Sequence, residues 1–169
     1  EKLLALADKA AELGVELFVL DDGWFGHRDN DKSSLGDWYD YKEKIKGTLG
    51  ELADKIRAKG LHFGIWVEPE MISEDSDLYR AHPEYAMTVP GRDPIRRRNQ
   101  LMLDLVNEEV QEYLIKEIGD VISRCKAYYV KWDCNRHMTD VYSKTLKNTG
   151  EYFHRYMLGL YRVISALKE

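Results

Sequence analysis

Carboxylates cluster at the ends of short apolar runs in this chain, and the densest cluster is Tyr129-Val-Lys-Trp-Asp-Cys-Asn-Arg136. If that run is extended, alternation puts Lys131, Asp133 and Asn135 on one face, with Trp132 and Cys134 on the other. A cation beside Asp133 favours its ionised form, which suits a nucleophile near neutral pH. Earlier runs end in similar groups: Asp21-Asp22-Gly23-Trp24, then Trp66-Val-Glu68-Pro-Glu70, then Asp104. Tandem acids accept hydrogen bonds from hydroxyls, and an indole packs on a C–H face. Asp21, Asp22 and Trp66 therefore suit a polyhydroxylated ligand such as a sugar.

Each residue alone has a plainer reading. A single Asp at a strand end is most often a turn or cap residue. Asp21-Asp22 can cap the following loop, Trp66 can be core, and Arg96-Arg-Arg98 can be a solvated face. Acidic clusters also bind Mg²⁺ through oxygen ligands. Asp29-Asn-Asp31-Lys-Ser33 begins like a calcium loop, but Ser34 stands where that loop needs Gly and Asp40 where it prefers Glu, so it reads as solvated loop. Placement at successive strand ends, more than any single residue, carries the chemical reading.

The elements that position these groups alternate between helical and strand patterns, the mark of an α/β protein with a parallel sheet. Glu1 to Leu13 carries Leu3, Leu6, Ala7, Ala10 and Leu13 at helical spacing and stops at Gly14. Val15 to Asp21 is a buried strand, and Asp22 to Gly47 a long, aromatic, Gly/Asp/Ser-rich loop. Thr48 and Glu51 form a capping box for a helix with Leu49, Leu52, Ala53 and Ile56 inward. His62 to Val67 is the second strand, Leu101 to Leu105 the third and Ala127 to Asp133 the fourth. Asn107 caps a helix with the stripe Val110, Leu114, Ile118, Val121 and Ile122. Glu151 to Leu167 is the last helix, with Phe153, Tyr156, Met157, Leu160, Val163, Ile164 and Leu167 inward. Strand, loop and helix thus recur four times with the long loops after strands, which is where a (β/α)8 (TIM) barrel keeps its chemistry. Four units are about half of such a barrel, so residues 1–169 are expected to be a partial barrel domain cut from a longer protein. A complete small open α/β sheet is the alternative.

The chain of 169 residues, 44% hydrophobic and 33% charged, is long enough for one domain with a core. Its net charge of −5 disfavours a nucleic-acid partner held through phosphates. No apolar run approaches the roughly 18 residues that span a bilayer, so no membrane partner is expected. Cys125 and Cys134 make neither a disulfide framework nor a zinc pattern, and free thiols point to a reducing, cytoplasmic compartment. The opening Glu1-Lys-Leu-Leu has no signal-peptide pattern, although the chain does not start at Met.

Six ordered motifs resemble the α-galactosidases of glycoside hydrolase family 36. They are Leu17-Phe-Val-Leu-Asp-Asp-Gly-Trp-Phe-Gly26, Ser34-Leu-Gly-Asp-Trp38, Phe63-Gly-Ile-Trp-Val-Glu-Pro-Glu-Met71, Asp77-Leu-Tyr-Arg-Ala-His-Pro83, Arg98-Asn-Gln-Leu101 and Lys131-Trp-Asp-Cys-Asn-Arg136. The resemblance implies a retaining enzyme that hydrolyses terminal α-galactosides of the melibiose and raffinose type. It implies Asp133 as nucleophile, Asp21 and Asp22 on the galactose O4 and O6 hydroxyls, and Trp66 lining the subsite. Arg98 reaches toward substrate, Lys131 and Asn135 bond the sugar, and Trp132 and Cys134 are expected among the substrate-binding residues. Cys134 stands where Met is common in the family. No cofactor and no metal are implied. The family's acid/base Asp lies downstream, and Asp140 and Glu151 follow Asp133 too closely to replace it. This chain alone is therefore expected to be inactive. Family members are often tetramers, which implies a homo-oligomeric parent in which the Arg92–Arg98 loop could take part.

Rivals within the family are an α-N-acetylgalactosaminidase or a galactosyl transglycosidase. A rival of another class is a Mg²⁺-dependent barrel lyase with Asp21, Glu68, Asp104 and Asp133 as ligands; another is a non-catalytic sugar-binding barrel.

Overall fold

Helix α1 (Lys2–Glu12) ends at a left-handed Gly14 (φ 76°) and turns the chain into strand β1 (Leu17–Leu20). Only a narrow edge of α1 is covered. Ala7 is buried against the core, while Leu6 and Leu13, expected inward, point to solvent. After β1 a long connection carries the short helix α2 (Lys42–Ile45) and leads to α3 (Leu49–Arg57). The capping box forms: Thr48 Oγ1 accepts from the Glu51 N–H, and the Glu51 carboxylate accepts from the Thr48 N–H. Leu49, Leu52, Ala53 and Ile56 fill the core side of α3 as their spacing predicts.

Strand β2 (His62–Val67) is buried from Phe63 onward because it is the central strand of its sheet. It is followed by β3 (Met71–Ile72), α4 (Asp77–Ala81), a 3-10 turn at Pro83–Tyr85, and β4 (Leu101–Met102). Then come α5 (Glu108–Cys125), strand β5 (Tyr129–Trp132) and α6 (Tyr152–Ala166). This structure, a computed structural model, describes residues 1–168. Its main sheet is parallel in the order β1-β2-β5, with Leu20 opposite Ile65 and Trp66 opposite Lys131.

That order corrects the expected fourfold repeat. Leu101 to Leu105 is not a strand of the parallel sheet: β4 pairs antiparallel with β3 in a separate two-stranded sheet. The Leu103 N–H donates to the Glu70 carbonyl, and the Met102 carbonyl accepts from the Met87 N–H. The connection between β2 and α5 therefore satisfies this segment's backbone by itself. A short apolar run reads the same in either pairing, so its sequence could not separate them. The parallel repeat is threefold: β1 to α3, β2 to α5, and β5 to α6.

The inward face of α6 also differs from expectation. Tyr152, Tyr156, Gly159 and Val163 are buried, whereas Phe153 and Met157 are exposed. The two phenols fix this rotation, because Tyr152 donates to Asp104 and Tyr156 to Glu70, both buried acids. Gly159 permits the close approach of α6, since a Cβ there would lie 2.1 Å from the Leu105 carbonyl oxygen.

Candidate active site

Asp133 follows the last residue of β5, and its N–H continues the ladder by donating to the Val67 carbonyl at 2.8 Å. Its carboxylate leaves the sheet at the carboxyl edge, where three donors meet it. Trp66 Nε1 reaches Oδ2 at 2.9 Å, Asn135 Nδ2 reaches Oδ2 at 2.7 Å, and the Cys134 N–H reaches Oδ1 at 2.9 Å. Partial burial pushes the Asp133 pKa up, but these donors and the field of Lys131 outweigh it and hold the carboxyl below its ordinary value. Hydrogen bonds from Trp66 and Asn135 exceed the lysine's contribution. The expected pairing of Lys131 with Asp133 is thus indirect.

Lys131 bonds Asp21 instead. Its Nζ donates to Asp21 Oδ2 at 2.8 Å, and this bond lowers the Asp21 pKa against the opposing effect of burial. Both side chains are largely exposed, so the pair is oriented more than stabilised. Asp22 turns to a different cation. Arg28 grips it through Nε to Oδ1 and Oδ2 at 3.0 and 3.2 Å and through Nη2 to Oδ2 at 3.0 Å. The guanidinium is buried and also donates through Nη1 to the Ser33 carbonyl. Asp22 keeps 40% of its side chain exposed, so it offers lone pairs to a ligand from a fixed position.

Trp66 is packed more tightly than a platform for a sugar ring: it is 3% exposed and stacks on Phe25 at 6.1 Å. Trp24 Nε1 donates to the Trp66 carbonyl and fixes the strand end. Trp132 and Cys134 project away from the Asp133 carboxylate, as alternation requires. The Trp132 indole donates to Glu70 Oε1, while Cys134 gives Asp133 only its backbone N–H. Burial pushes the Cys134 thiol up to about 11, so it is not a thiolate nucleophile.

Arg98 sits at the tip of a two-residue turn, where Arg98 and Asn99 both have positive φ (54° and 57°). The Arg97 and Gln100 backbones exchange hydrogen bonds below it. Among the described residues Arg98 has no hydrogen bond or ion pair with Asp21, Asp22 or Asp133. The structure brings together Asp21, Lys131, Asp133, Asn135 and Trp66, with Asp22 adjacent, and leaves Arg98 on a separate arm. Arg136 is structural: buried, it donates through Nη1 to the Gln100 carbonyl at 2.5 Å.

Arg28, Gln100 and Tyr156 complete these networks; the sequence places Tyr156 inward and Gln100 in a motif but assigns none of the three a role at the site. Arg28 lies in a loop whose only local signal is a cation near paired acids. Among the described residues no three His, Cys, Asp or Glu side chains converge on a cation position. The acids of the lyase reading are each committed elsewhere: Asp21 to Lys131, Glu68 to Gln100 and the Asn135 N–H, Asp104 to Tyr152, and Asp133 to its own donors.

The melibiase family model matches residues 1–169. α-Galactosidase Mel36A of Lactobacillus acidophilus is 49% identical over 99% of this chain and 23% of its own length. The crystal structure of α-galactosidase AgaA from Geobacillus stearothermophilus, of family GH36, superposes with TM-score 0.95 at 50% identity, over 98% of this chain and 23% of that one. A variant of the same enzyme solved with raffinose superposes with TM-score 0.94 at 49% identity, over the same shares. The chain thus spans less than a quarter of the length of these relatives. With the family model matched from end to end and the parallel strand ends carrying its motifs, the chain belongs to the melibiase family of GH36 α-galactosidases.

Proposed function

We propose that the chain is the nucleophile-bearing part of a retaining α-galactosidase whose catalytic domain is a (β/α)8 barrel. In this reading β1, β2 and β5 are a contiguous arc of that barrel, and their carboxyl ends form one side of its mouth. The supporting observation is the Asp133 carboxylate, ionised and oriented by three donors at a strand end.

Asp133 attacks the anomeric carbon of a terminal α-galactoside, and the glycosidic bond breaks as the leaving oxygen takes a proton. That proton comes from a second carboxyl group outside the described residues, about 5–5.5 Å from Asp133 in a retaining pair. Water then replaces the enzyme at the same carbon, with the second carboxylate as base, and configuration is retained. Asp21 and Asp22 accept from the galactose O4 and O6 hydroxyls. Because Lys131 and Arg28 fix both acids, an equatorial O4 leaves an acceptor unpaired, which discriminates against glucosides. Asn135 and Lys131 bond the sugar while orienting the acids, Trp66 holds Asp133 from behind through its indole N–H, and Arg98 approaches from its turn. Substrates of the raffinose type fit this reading, since a close relative was solved with raffinose.

Mechanism-based labelling of the full-length enzyme with a fluorinated α-galactosyl fluoride tests it. The adduct is expected on the peptide containing Asp133; an adduct on any other residue refutes the assignment. Activity that persists after EDTA treatment separates it from the metal-dependent lyase reading.

A further inference from the structure

Glu68 is a buried carboxylate directly behind the site. It is 2% exposed, so it is shielded from solvent. A single oxygen, Oε1, accepts from two segments that are far apart in the chain. The Asn135 N–H donates at 2.6 Å, and Gln100 Nε2 donates at 3.0 Å. Asn135 in turn donates through Nδ2 to Asp133 Oδ2 at 2.7 Å, the oxygen that Trp66 Nε1 also holds. Both constraints on Oδ2 thus originate on the end of β2: Trp66 acts directly, and Glu68 through Asn135.

The local sequence prepares this arrangement. Pro69 restricts the preceding residue to extended backbone, so Glu68 leaves β2 in the strand direction without sampling helical turns. A carboxylate is acceptor-only and takes charge-assisted bonds from two donors, which a neutral side chain of that length accepts less strongly. The second donor, Gln100, lies at the base of the turn that carries Arg98, and its carbonyl is itself held by Arg136. Burying a charge is costly unless its donors repay it, and here both donors lead to groups of the proposed site.

We propose that Glu68 is a positioning residue: it sets the rotamer of Asp133 through Asn135 and ties the Arg98 turn to the same point. This rests on the reading of Asp133 as nucleophile. A nucleophile displaced by about 1 Å loses about a hundredfold in rate while ground-state binding is largely kept.

The test uses the full-length enzyme and a fluorinated α-galactosyl fluoride, whose inactivation kinetics separate binding (Ki) from bond formation (ki). Glu68→Met fills the volume without an acceptor; its ki is expected to fall about a hundredfold, with Ki held within about threefold. Glu68→Gln keeps an acceptor oxygen at the same reach and is expected to retain ki within about fivefold. Should Glu68→Met not accumulate as folded protein, Glu68→Asp withdraws the acceptor by one methylene and is expected to lose about tenfold in ki. A wild-type ki in Glu68→Met or Glu68→Asp overturns the proposal, as does a loss confined to Ki or a Gln variant as slow as Met. Peptide mapping of the wild-type adduct keeps the two readings apart. An adduct away from Asp133 refutes the nucleophile assignment itself. An adduct on Asp133 with unchanged ki in the Glu68 variants refutes only the positioning role.

Discussion

Removing Arg28 should cripple substrate capture without touching the reacting carboxylate. Its guanidinium is 4% exposed and spends Nε and Nη2 on Asp22, with contacts of 3.0, 3.2 and 3.0 Å. A hydrogen bond to a charged group contributes about 1.5–3 kcal/mol. Asp22 remains partly open to water, which replaces some of what is lost, so the net effect of losing the fork is about 2 kcal/mol rather than twice the single-bond value. If Asp22 holds galactose hydroxyls from that position, Arg28→Met lowers kcat/KM about 30-fold, mostly through KM. Arg28→Lys should restore little, because an ammonium cannot make the side-on, two-pronged contact. Steady-state kinetics of the full-length enzyme on an aryl α-galactoside, with galactose as competing inhibitor, reads both effects. Wild-type KM and galactose inhibition in Arg28→Met would refute the argument, and so would full rescue by Lys.

Two further outcomes rest on other contacts of the fold. Trp66→Phe keeps the packing on Phe25 but removes a donor that lowers the Asp133 pKa. The ionised form is needed above that pKa and lost as pH falls through it, so the acid limb of kcat/KM should move to higher pH; an unmoved limb counts against the donor's role. Gly159→Ala places a methyl against the Leu105 carbonyl and the Gln111 amide, at 2.1 and 2.8 Å, and must push α6 outward. Thermal denaturation should show a loss of about 1–3 kcal/mol, and an unchanged midpoint would contradict the close approach.

Much of this site was legible in the sequence because strand alternation is a strict geometric rule. Lys131, Asp133 and Asn135 do share a face, and Trp132 does point the other way, to Glu70. Capping was legible too: Thr48 with Glu51, and Asn107 at α5, are local patterns satisfied by nearby backbone. Pairing partners were not. Lys131 does favour the ionised Asp133 through its field, but its hydrogen bond goes to Asp21, just beyond β1 and two strands away. Arg28 and Gln100 act through the fold's long connections, where no period predicts which way a side chain turns. The expected parallel pairing of Leu101 to Leu105 fails for the same reason: the strand forms at Leu101–Met102 but pairs antiparallel, since apolar character reports burial and not the direction of pairing. Phe153 and Met157 were misplaced because helical spacing gives a stripe, whereas the buried acids Asp104 and Glu70 select its rotation through Tyr152 and Tyr156.

The central claim is that Asp133 forms the covalent bond to the sugar. The most direct test is Asp133→Gly in the full-length enzyme, assayed on an activated aryl α-galactoside with and without azide. Removing the carboxylate should abolish turnover, and azide entering the vacated space should restore it, giving β-galactosyl azide of inverted configuration. Residual turnover in Asp133→Gly, absence of rescue, or an α-configured azide product would contradict the account.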